Sequence, residues 1–241
     1  MTRITESAIE EFAITLLEKL GYQYAYGPEI APDSDTPRRR SFGDVLLLDK
    51  LKIAVARLNP SVPDDAREDA IKQIQRLSSS ELIANNEAFH RMLTEGVKVT
   101  YQKGGQGRGD LVWLVDFSDP ENNEFEVVNQ LTIVDENVKK RPDVILFVNG
   151  LPLVVMELKN PADENATVYS AFKQVQTYKQ TIPTLFTYNG FLVISDGLEA
   201  KAGTLTSGFS RFMAWKTVNG EVEASPLVGQ LETLIKGMLN K

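Results

Sequence analysis

Apolar residues recur at helical spacing at the start of the chain. Over residues 5–20 they form one stripe, with Thr5 in position to cap the first turn and Gly21 to end the last. The stripe consists of Ile9, Phe12, Ala13, Leu16, Leu17 and Leu20. The pattern predicts an amphipathic helix over residues 5–20.

After the first helix, the apolar residues occur in two short continuous runs and then return to helical spacing. The runs at 44–50 and 52–58 indicate two strands joined by a turn at Asp49-Lys50. Helical spacing returns over 64–77 and over 79–96, and Gly96 ends the second of these helices. We expect the two helices to form an N-terminal helical insertion at about residues 60–96.

Strand patterns dominate the second half of the chain. Asn149-Gly150 separates two apolar runs and is a strong hairpin turn signal. Helices are predicted over 165–181 and from Pro226 to the end. Strands are predicted at 97–102, 110–117, 124–134, 143–148, 151–159 and 190–197, with a glycine-rich loop at 103–109. This order indicates an α/β domain, residues 1–225, with a mixed or mostly antiparallel sheet, followed by a C-terminal helix, residues 226–241.

Composition narrows the possible chemistry. The 241 residues include no cysteine and one histidine, His90, which excludes thiolate zinc, iron–sulfur and multi-histidine sites. A metal would therefore be held mainly by oxygen, which indicates Mg²⁺, Ca²⁺ or Mn²⁺. No apolar run reaches membrane-span length and the N-terminus lacks the layout of a signal peptide, so we expect no membrane contact and a cytoplasmic location.

The net charge of −7 bears on possible partners. A chain this acidic lacks the overall positive field of a strong autonomous nucleic-acid binder. If it acts on DNA, we expect it to do so through a local basic patch or through partner proteins.

The segment 141–161 carries the most informative charges. Glu157 and Lys159 end an apolar strand and, two residues apart, share one face. Asp143 opens the preceding strand, which the hairpin brings back beside Glu157. A strict two-residue loop would turn Glu157 to the opposite face from Asp143, whereas a loop of odd length or a bulge near Asp143 would place both on one face.

Two carboxylates and an ammonium on one face suit phosphodiester hydrolysis. The carboxylates can hold a divalent cation, and the lysine can orient water or stabilise the transition state. On the motif alone, a surface salt bridge at the end of a hairpin is an equal alternative.

Three neighbouring features favour the catalytic interpretation. Lys139, Lys140 and Arg141 precede Asp143 and form a basic cluster for a phosphate backbone, or else a solvated charge run. Gln174 and Tyr178 share one helix face and can contact DNA, although Tyr178 can equally pack on the sheet. Glu10 on the first helix can add a carboxylate, or can be an exposed charge.

Three runs then carry a family resemblance. The runs at 109–133, 141–161 and 171–197 resemble the N-terminal nuclease region of the R (restriction) subunit of type I restriction–modification enzymes. The end of the chain, 231–241, resembles the segment that precedes the motor in that subunit. The resemblance covers nearly the whole chain and is strongest over 86–217.

The resemblance implies a PD-(D/E)XK, restriction-endonuclease-like fold, in which helices flank a mixed sheet. Its metal-binding acids match Asp143 and Glu157, its catalytic lysine matches Lys159, and its Q-x-x-x-Y element matches Gln174 and Tyr178. An acidic residue of its first helix matches Glu10, with Glu6 and Glu11 as close alternatives. The family would use Mg²⁺, with Mn²⁺ as a substitute.

The resemblance also implies partners and a missing part. DNA would be cut remote from the recognition sequence, by a complex that includes methyltransferase (M) and specificity (S) subunits. The chain has no G-x-x-x-x-G-K-[ST] phosphate loop, so ATP would serve only the full-length subunit, whose motor we expect to be absent here. The alternatives are a non-catalytic docking or coupling module of the R subunit and, least favoured, a stand-alone nuclease.

Overall fold

A computed structural model describes residues 5–160, 167–225 and 227–241 of the chain. The helices are α1 (Glu6–Lys19), α2 (Leu48–Leu58), α3 (Asp64–Gln75), α4 (Leu82–Glu95), α5 (Val168–Thr181), α6 (Pro183–Phe186) and α7 (Gln230–Met238). The strands are β1 (Gln23–Tyr26), β2 (Val97–Lys103), β3 (Gln106–Val112), β4 (Phe125–Asn129), β5 (Ile133–Asp135), β6 (Val138–Lys140), β7 (Val144–Val148), β8 (Leu151–Leu158), β9 (Phe191–Ser195) and β10 (Ala200–Gly203).

A six-stranded mixed sheet forms the centre of the fold. Its order is β1-β4-β7-β8-β9-β10. β1 with β4 and β8 with β9 are parallel, and the other three pairs are antiparallel. Two small antiparallel pairs, β2 with β3 and β5 with β6, lie outside it. The predicted α/β class with a mixed sheet flanked by helices is confirmed.

Helices cover both faces of the central sheet. α1 and α7 pack on one face, where Leu17, Met156 and Leu234 belong to one buried cluster. The larger cluster on the other face includes Val155 of β8 and joins the sheet to residues of α2 to α6. β8 is buried along both faces, as its nearly continuous apolar sequence predicts.

Local sequence signals account for both ends of α1. The hydroxyl of Thr5 accepts a hydrogen bond of 3.3 Å from the backbone N–H of Ala8, and the chain leaves the helix through Gly21 at a φ of +89°. The helix predicted over 5–20 is therefore confirmed. α7 packs against α1, and the hydroxyl of Tyr22 donates a hydrogen bond of 2.9 Å to the carbonyl of Leu239.

The strands predicted over 44–50 and 52–58 are wrong. The second run and the end of the first form helix α2, whose fully buried residues Leu51, Ala54 and Val55 lie at helical spacing. Residues 45–47 are buried without forming a strand. The continuous apolar run hid the helical period, and Asp49-Lys50 lies inside the helix rather than in a turn.

The single strand predicted over 124–134 is wrong, because β4 and β5 occupy it and belong to different sheets. The remaining predicted elements differ mainly at their ends. The predicted insertion helices are α3 and α4, and Gly96 follows α4 at a φ of +81°. The loop predicted over 103–109 is wrong in extent: only Gly104-Gly105 form the turn of the β2-β3 hairpin, and residues 106–109 belong to β3. The strand predicted over 110–117 therefore begins earlier and ends at Val112. Residues 165–166 and Pro226, where two helices were predicted to begin, lie outside the described residues. None of the helices in the described ranges has the length and apolar character that a membrane span requires.

Candidate active site

A bulge in β8 sets the relative orientation of the acidic residues. Asn149 and Gly150 form a two-residue turn with φ values of 51° and 81°. The register between β7 and β8 then shifts by one residue, because Leu153 is bulged out of the ladder. Asp143, immediately before β7, consequently comes opposite Glu157. The turn is of the strict two-residue kind, and a bulge in β8 rather than near Asp143 compensates for it.

The loop before β9 holds the bulge in place. The backbone N–H of Gly190 donates a hydrogen bond of 2.7 Å to the carbonyl of Leu153, and Nδ2 of Asn189 donates a second at 3.2 Å. A Cβ atom at Gly190 would lie 3.3 Å from that carbonyl oxygen, so glycine permits the close approach. The bulge therefore depends on residues more than thirty positions later in the chain.

The three charged groups predicted from the motif come together at this end of β8. Oδ2 of Asp143 accepts a hydrogen bond of 2.7 Å from the backbone N–H of Leu158. Nζ of Lys159 lies 2.6 Å from Oε1 of Glu157 and 3.1 Å from Oε1 of Glu6. Glu157 is only 1% exposed, and its Oε2 has no hydrogen-bond partner in the described parts of the chain. An unsatisfied buried carboxylate oxygen is an open position for a cation.

Burial and the neighbouring charges shift the pKa values of Asp143, Glu157 and Lys159. Burial raises the pKa of Asp143, and the charge of Glu157 raises it further. Burial also raises the pKa of Glu157, against the opposing effect of Lys159. For Lys159, burial acts to lower the pKa, but the charges of Glu157 and Asp143 outweigh it and the pKa is raised. The site thus penalises two negative charges and favours a nearby cation.

Glu10 approaches the same site from α1. It is buried, and Nε2 of Gln130 donates to both of its oxygens at 2.9 and 2.8 Å. Glu10, Gln130 and Asp143 line one cavity of about 780 Å³. Glu6 and Glu11 line it too, but Glu6 pairs with Lys159 and Glu11 is exposed. Glu10 is therefore the first-helix acid that is buried beside Asp143.

These acids do not form a three-carboxylate cluster. Among residues 5–160, 167–225 and 227–241, no three acidic or histidine side chains are close enough to hold one ion. Asp143 and Glu157 are the carboxylates that face each other. Glu10 is not part of this pair, because its oxygens accept hydrogen bonds from side-chain amides. His90 lies elsewhere, with Nε2 2.9 Å from the carbonyl of Asn189.

The two residues predicted on α5 have different environments. Tyr178 is buried, and its hydroxyl donates a long hydrogen bond of 3.4 Å to the carbonyl of Arg141. Burial, together with the charges of Glu157 and Asp143, raises its pKa, so the hydroxyl stays protonated beside the carboxylates. Its ring is packed rather than free for base stacking. Gln174 is half-buried and lies one helical turn before Tyr178 on α5.

The predicted basic cluster lies next to the cavity. Lys139 and Lys140 end β6, and Arg141, which is exposed, lines the cavity itself. Gln130, which we did not single out from the sequence, binds Glu10 and adopts a left-handed φ of 56°. The signal for it was the polar pair at 129–130, which interrupts the run predicted as a single strand over 124–134.

Comparison with known proteins identifies the family. The chain matches the family described as the type I restriction enzyme R protein N terminus over residues 3–211, and it belongs to that family. It is 38% identical over 239 residues to the type I restriction enzyme HindI endonuclease subunit of Haemophilus influenzae. This alignment covers 98% of the chain and 23% of that relative.

Two other relatives extend the comparison. A protein from Methanocaldococcus jannaschii, provisionally named as the MjaIXP endonuclease subunit of a type I restriction enzyme, is 33% identical over 216 residues, which cover 88% of the chain and 20% of that protein. A type I restriction enzyme endonuclease subunit of Staphylococcus aureus is 41% identical over 80 residues. The chain thus spans about a quarter of the length of these relatives or less.

Proposed function

We propose that this chain is the Mg²⁺-dependent endonuclease domain of a type I restriction enzyme R subunit and has the PD-(D/E)XK fold. One observation carries the proposal. The bulge at Leu153 brings Asp143 opposite Glu157, with Lys159 hydrogen-bonded to Glu157. Two acids and a lysine on one face at the end of a hairpin form an arrangement that suits metal-dependent phosphodiester hydrolysis.

The donor set suits a hard divalent cation. The pair offers carboxylate oxygens, one of them unpartnered, and burial disfavours two bare negative charges. Asp143 and Glu157 would hold Mg²⁺, or Mn²⁺ in its place, with Glu10 nearby. The ion would supply an activated water and offset charge on the phosphate in the transition state.

The chain's own residues have distinct roles in this proposal. Lys159 remains protonated, so it orients the attacking water and stabilises negative charge instead of acting as a base. Tyr178 and Gln174 support the carboxylates from α5. Arg141, Lys139 and Lys140 meet the DNA backbone beside the cavity.

Cleavage remote from the recognition sequence belongs to the same proposal. The relatives named as endonuclease subunits are four to five times longer than the aligned part. We propose that ATP acts on other parts of such a subunit and that M and S subunits supply sequence recognition, in a cytoplasmic complex on DNA. The acidic charge of this chain is consistent with recognition by a partner.

Calorimetric titration with Mn²⁺ tests the metal site directly. The wild-type chain should bind Mn²⁺, Asp143→Ala should not, and Asp33→Ala, which removes an exposed carboxylate outside the site, should bind like wild type. If wild type binds no Mn²⁺ even with DNA present, the nuclease proposal fails. A non-catalytic docking or coupling module would then be the better account.

A further inference from the structure

A second cavity, of about 450 Å³, lies beside the arginine tract that precedes α2. Arg38, Arg39 and Arg40 line it together with Lys52 of α2. It shares no lining residue with the cavity over Asp143. This second cavity is the arginine cavity.

Arg39 is an unusually placed cation. It is 4% exposed, and its Nη1 and Nη2 donate to the backbone carbonyls of Asp44 and Thr132 at 3.1 and 3.0 Å. Its Nε has no hydrogen-bond partner in the described ranges. Burial lowers the pKa of Arg39 to about 10, which the charge of Asp44 only partly opposes. A buried guanidinium held only by neutral carbonyls is stabilised by any anion that comes close.

The other cations of the arginine cavity differ in their availability. Arg38 is paired with both oxygens of Glu126. Arg40 has a 78% exposed side chain and only a loose contact with Asp44, at 3.6 Å. Lys52 is exposed and forms no ion pair with another described residue. Its position and charge leave it free to bind an anion.

Positive charge remains in excess after these pairs are considered. Two carboxylates, Asp44 and Asp49, line the cavity against its four cations. Glu126, outside the lining, neutralises Arg38. A net positive charge on an otherwise acidic chain marks this cavity as a local anion site.

One loop connects the arginine cavity to the candidate active site. Thr132, whose carbonyl binds Arg39, lies two residues after Gln130, and the backbone N–H of Gln130 donates to the carbonyl of Asp143 at 3.0 Å. The backbone N–H of Val134 in turn donates to the carbonyl of Phe42. Residues 130–134 thus connect, through hydrogen bonds, the main chain beside Asp143 with the segment that carries Arg39.

We infer that the arginine cavity binds a phosphate group of the DNA strand beyond the one that is cut. Guanidinium and ammonium groups match phosphate oxygens in charge and hydrogen bonding. The segment 130–134, which is hydrogen-bonded to both Arg39 and Asp143, connects the arginine cavity with the candidate active site. This assignment to DNA rests on the proposed function, whereas the phosphate chemistry of the cavity does not.

Charge-reversal variants test the inference. Binding of a short fluorescein-labelled duplex is measured by anisotropy at low ionic strength in EDTA, so that neither metal nor cleavage contributes. Lys52→Glu and Arg40→Glu should each weaken binding roughly tenfold and lower the salt dependence by about one counterion. Lys98→Glu, the same charge change on an exposed residue of β2, should change the Kd less than about twofold. Thermal unfolding of each variant shows whether it is folded.

A second arm distinguishes the source of the phosphate. If inorganic phosphate raises the Tm of wild type but not of Lys52→Glu, while duplex binding is equal in the two, the cavity binds free phosphate and the assignment to DNA is overturned. If neither duplex nor phosphate distinguishes the variants from wild type, or wild type does not bind the duplex at all and phosphate does not raise its Tm, the whole inference is overturned. Loss of duplex binding in the variants together with absence of Mn²⁺ binding in wild type would support the cavity and refute the nuclease proposal.

Discussion

The backbone N–H of Leu158 donates a hydrogen bond of 2.7 Å to Oδ2 of Asp143. Strand pairing itself therefore orients this carboxylate, because the donor belongs to the main chain of β8 rather than to another side chain. The buried Asp143 keeps one oxygen tied to the strand. The carboxylate position is consequently as rigid as the hairpin, which suits a group proposed to hold a metal ion.

Replacing Asp143 with Asn should stabilise the metal-free protein at high pH. The pKa of Asp143 is raised to about 8, by burial first and by Glu157 second, above an unfolded value of about 3.9. Between those values the folded protein binds a proton that the unfolded chain has released, so the wild-type free energy of unfolding falls as pH rises. Asp143→Asn removes this loss and should be more stable by more than about 1.4 kcal/mol at pH 8.

Urea unfolding in EDTA at pH 5 and pH 8 measures this difference. The stabilisation should be larger at pH 8, and Asp33→Asn, at an exposed carboxylate, should show none. Equal stability of Asp143→Asn and wild type at both pH values would contradict the raised pKa. Added Mn²⁺ should stabilise only wild type and Asp33→Asn, which links this result to the metal titration.

The hairpin turn should not tolerate a side chain at Gly150. Its φ is +81°, and a Cβ atom there would overlap the carbonyl oxygen of Leu47 and lie 3.0 Å from the N of Leu51. Gly150→Ala should therefore lower the free energy of unfolding by roughly 3 kcal/mol or more. Gly105→Ala is the matched control, because Gly105 has a φ of +80° and nothing within 4 Å of its added Cβ.

The control separates two causes of destabilisation. Gly105→Ala should cost about 1 kcal/mol, from backbone conformation alone. Denaturant unfolding of both variants gives the difference. If the two changes cost the same, the contact between the turn and α2 does not constrain the hairpin.

Lys159→Met should separate chemistry from metal binding. Nζ of Lys159 lies 2.6 Å from Oε1 of Glu157, so its removal deletes a positive charge beside the carboxylates. DNA cleavage by the restriction complex that carries this domain should fall at least about a hundredfold. Mn²⁺ should bind at least as tightly as to wild type, because a competing cation is gone.

Lys201→Met provides the comparison for Lys159→Met. Lys201 is a partly buried lysine of β10 that pairs with Glu199 at 3.0 Å, away from the carboxylate pair. It should leave both cleavage and Mn²⁺ affinity unchanged. Full cleavage by Lys159→Met would remove this lysine from the proposed mechanism.

Gln130→Gly should weaken cleavage without unfolding the protein. Glycine relieves the left-handed φ of 56° at Gln130 but removes the side chain that donates to both oxygens of Glu10. We expect the free energy of unfolding to change by less than about 1 kcal/mol and cleavage to fall roughly tenfold. Asn137→Gly, at a φ of 71° in the β5-β6 turn, should leave cleavage intact. A cleavage rate equal to wild type in Gln130→Gly would show that the position of Glu10 does not matter.

Local patterns predicted much of this structure. The stripe of α1, the turn at Asn149-Gly150 and the helix that carries Gln174 and Tyr178 all depend on residues close in sequence, and all three are present. The charges of Asp143, Glu157 and Lys159 were predicted to share a face only under one of several loop geometries. Nothing within the hairpin could choose among them, because the bulge is held by Gly190 and Asn189 from another loop.

Tertiary contacts also explain why the strands predicted over 44–50 and 52–58 are wrong. The segment around Leu47 packs against the hairpin, where the N–H of Leu47 donates to the carbonyl of Gly150 at 3.0 Å. This contact buries residues 45–47 without a strand, and the helix begins immediately afterwards. In the sequence, the buried loop and the first turn of α2 form one unbroken apolar run, which has no visible period.

The bulge at Leu153 determines on which face of the sheet Glu157 lies. If the same chain paired β7 with β8 without this bulge, every acid and lysine of the motif would keep its order, yet Met156 would lie opposite Asp143 and Glu157 would point toward the apolar layer under α1 and α7. Such a protein would match the motif and lack the site. The site therefore depends on whether the number of paired residues between the turn and Glu157, with any bulged residue left out, is odd or even. A sequence motif that allows variable spacing does not contain this information.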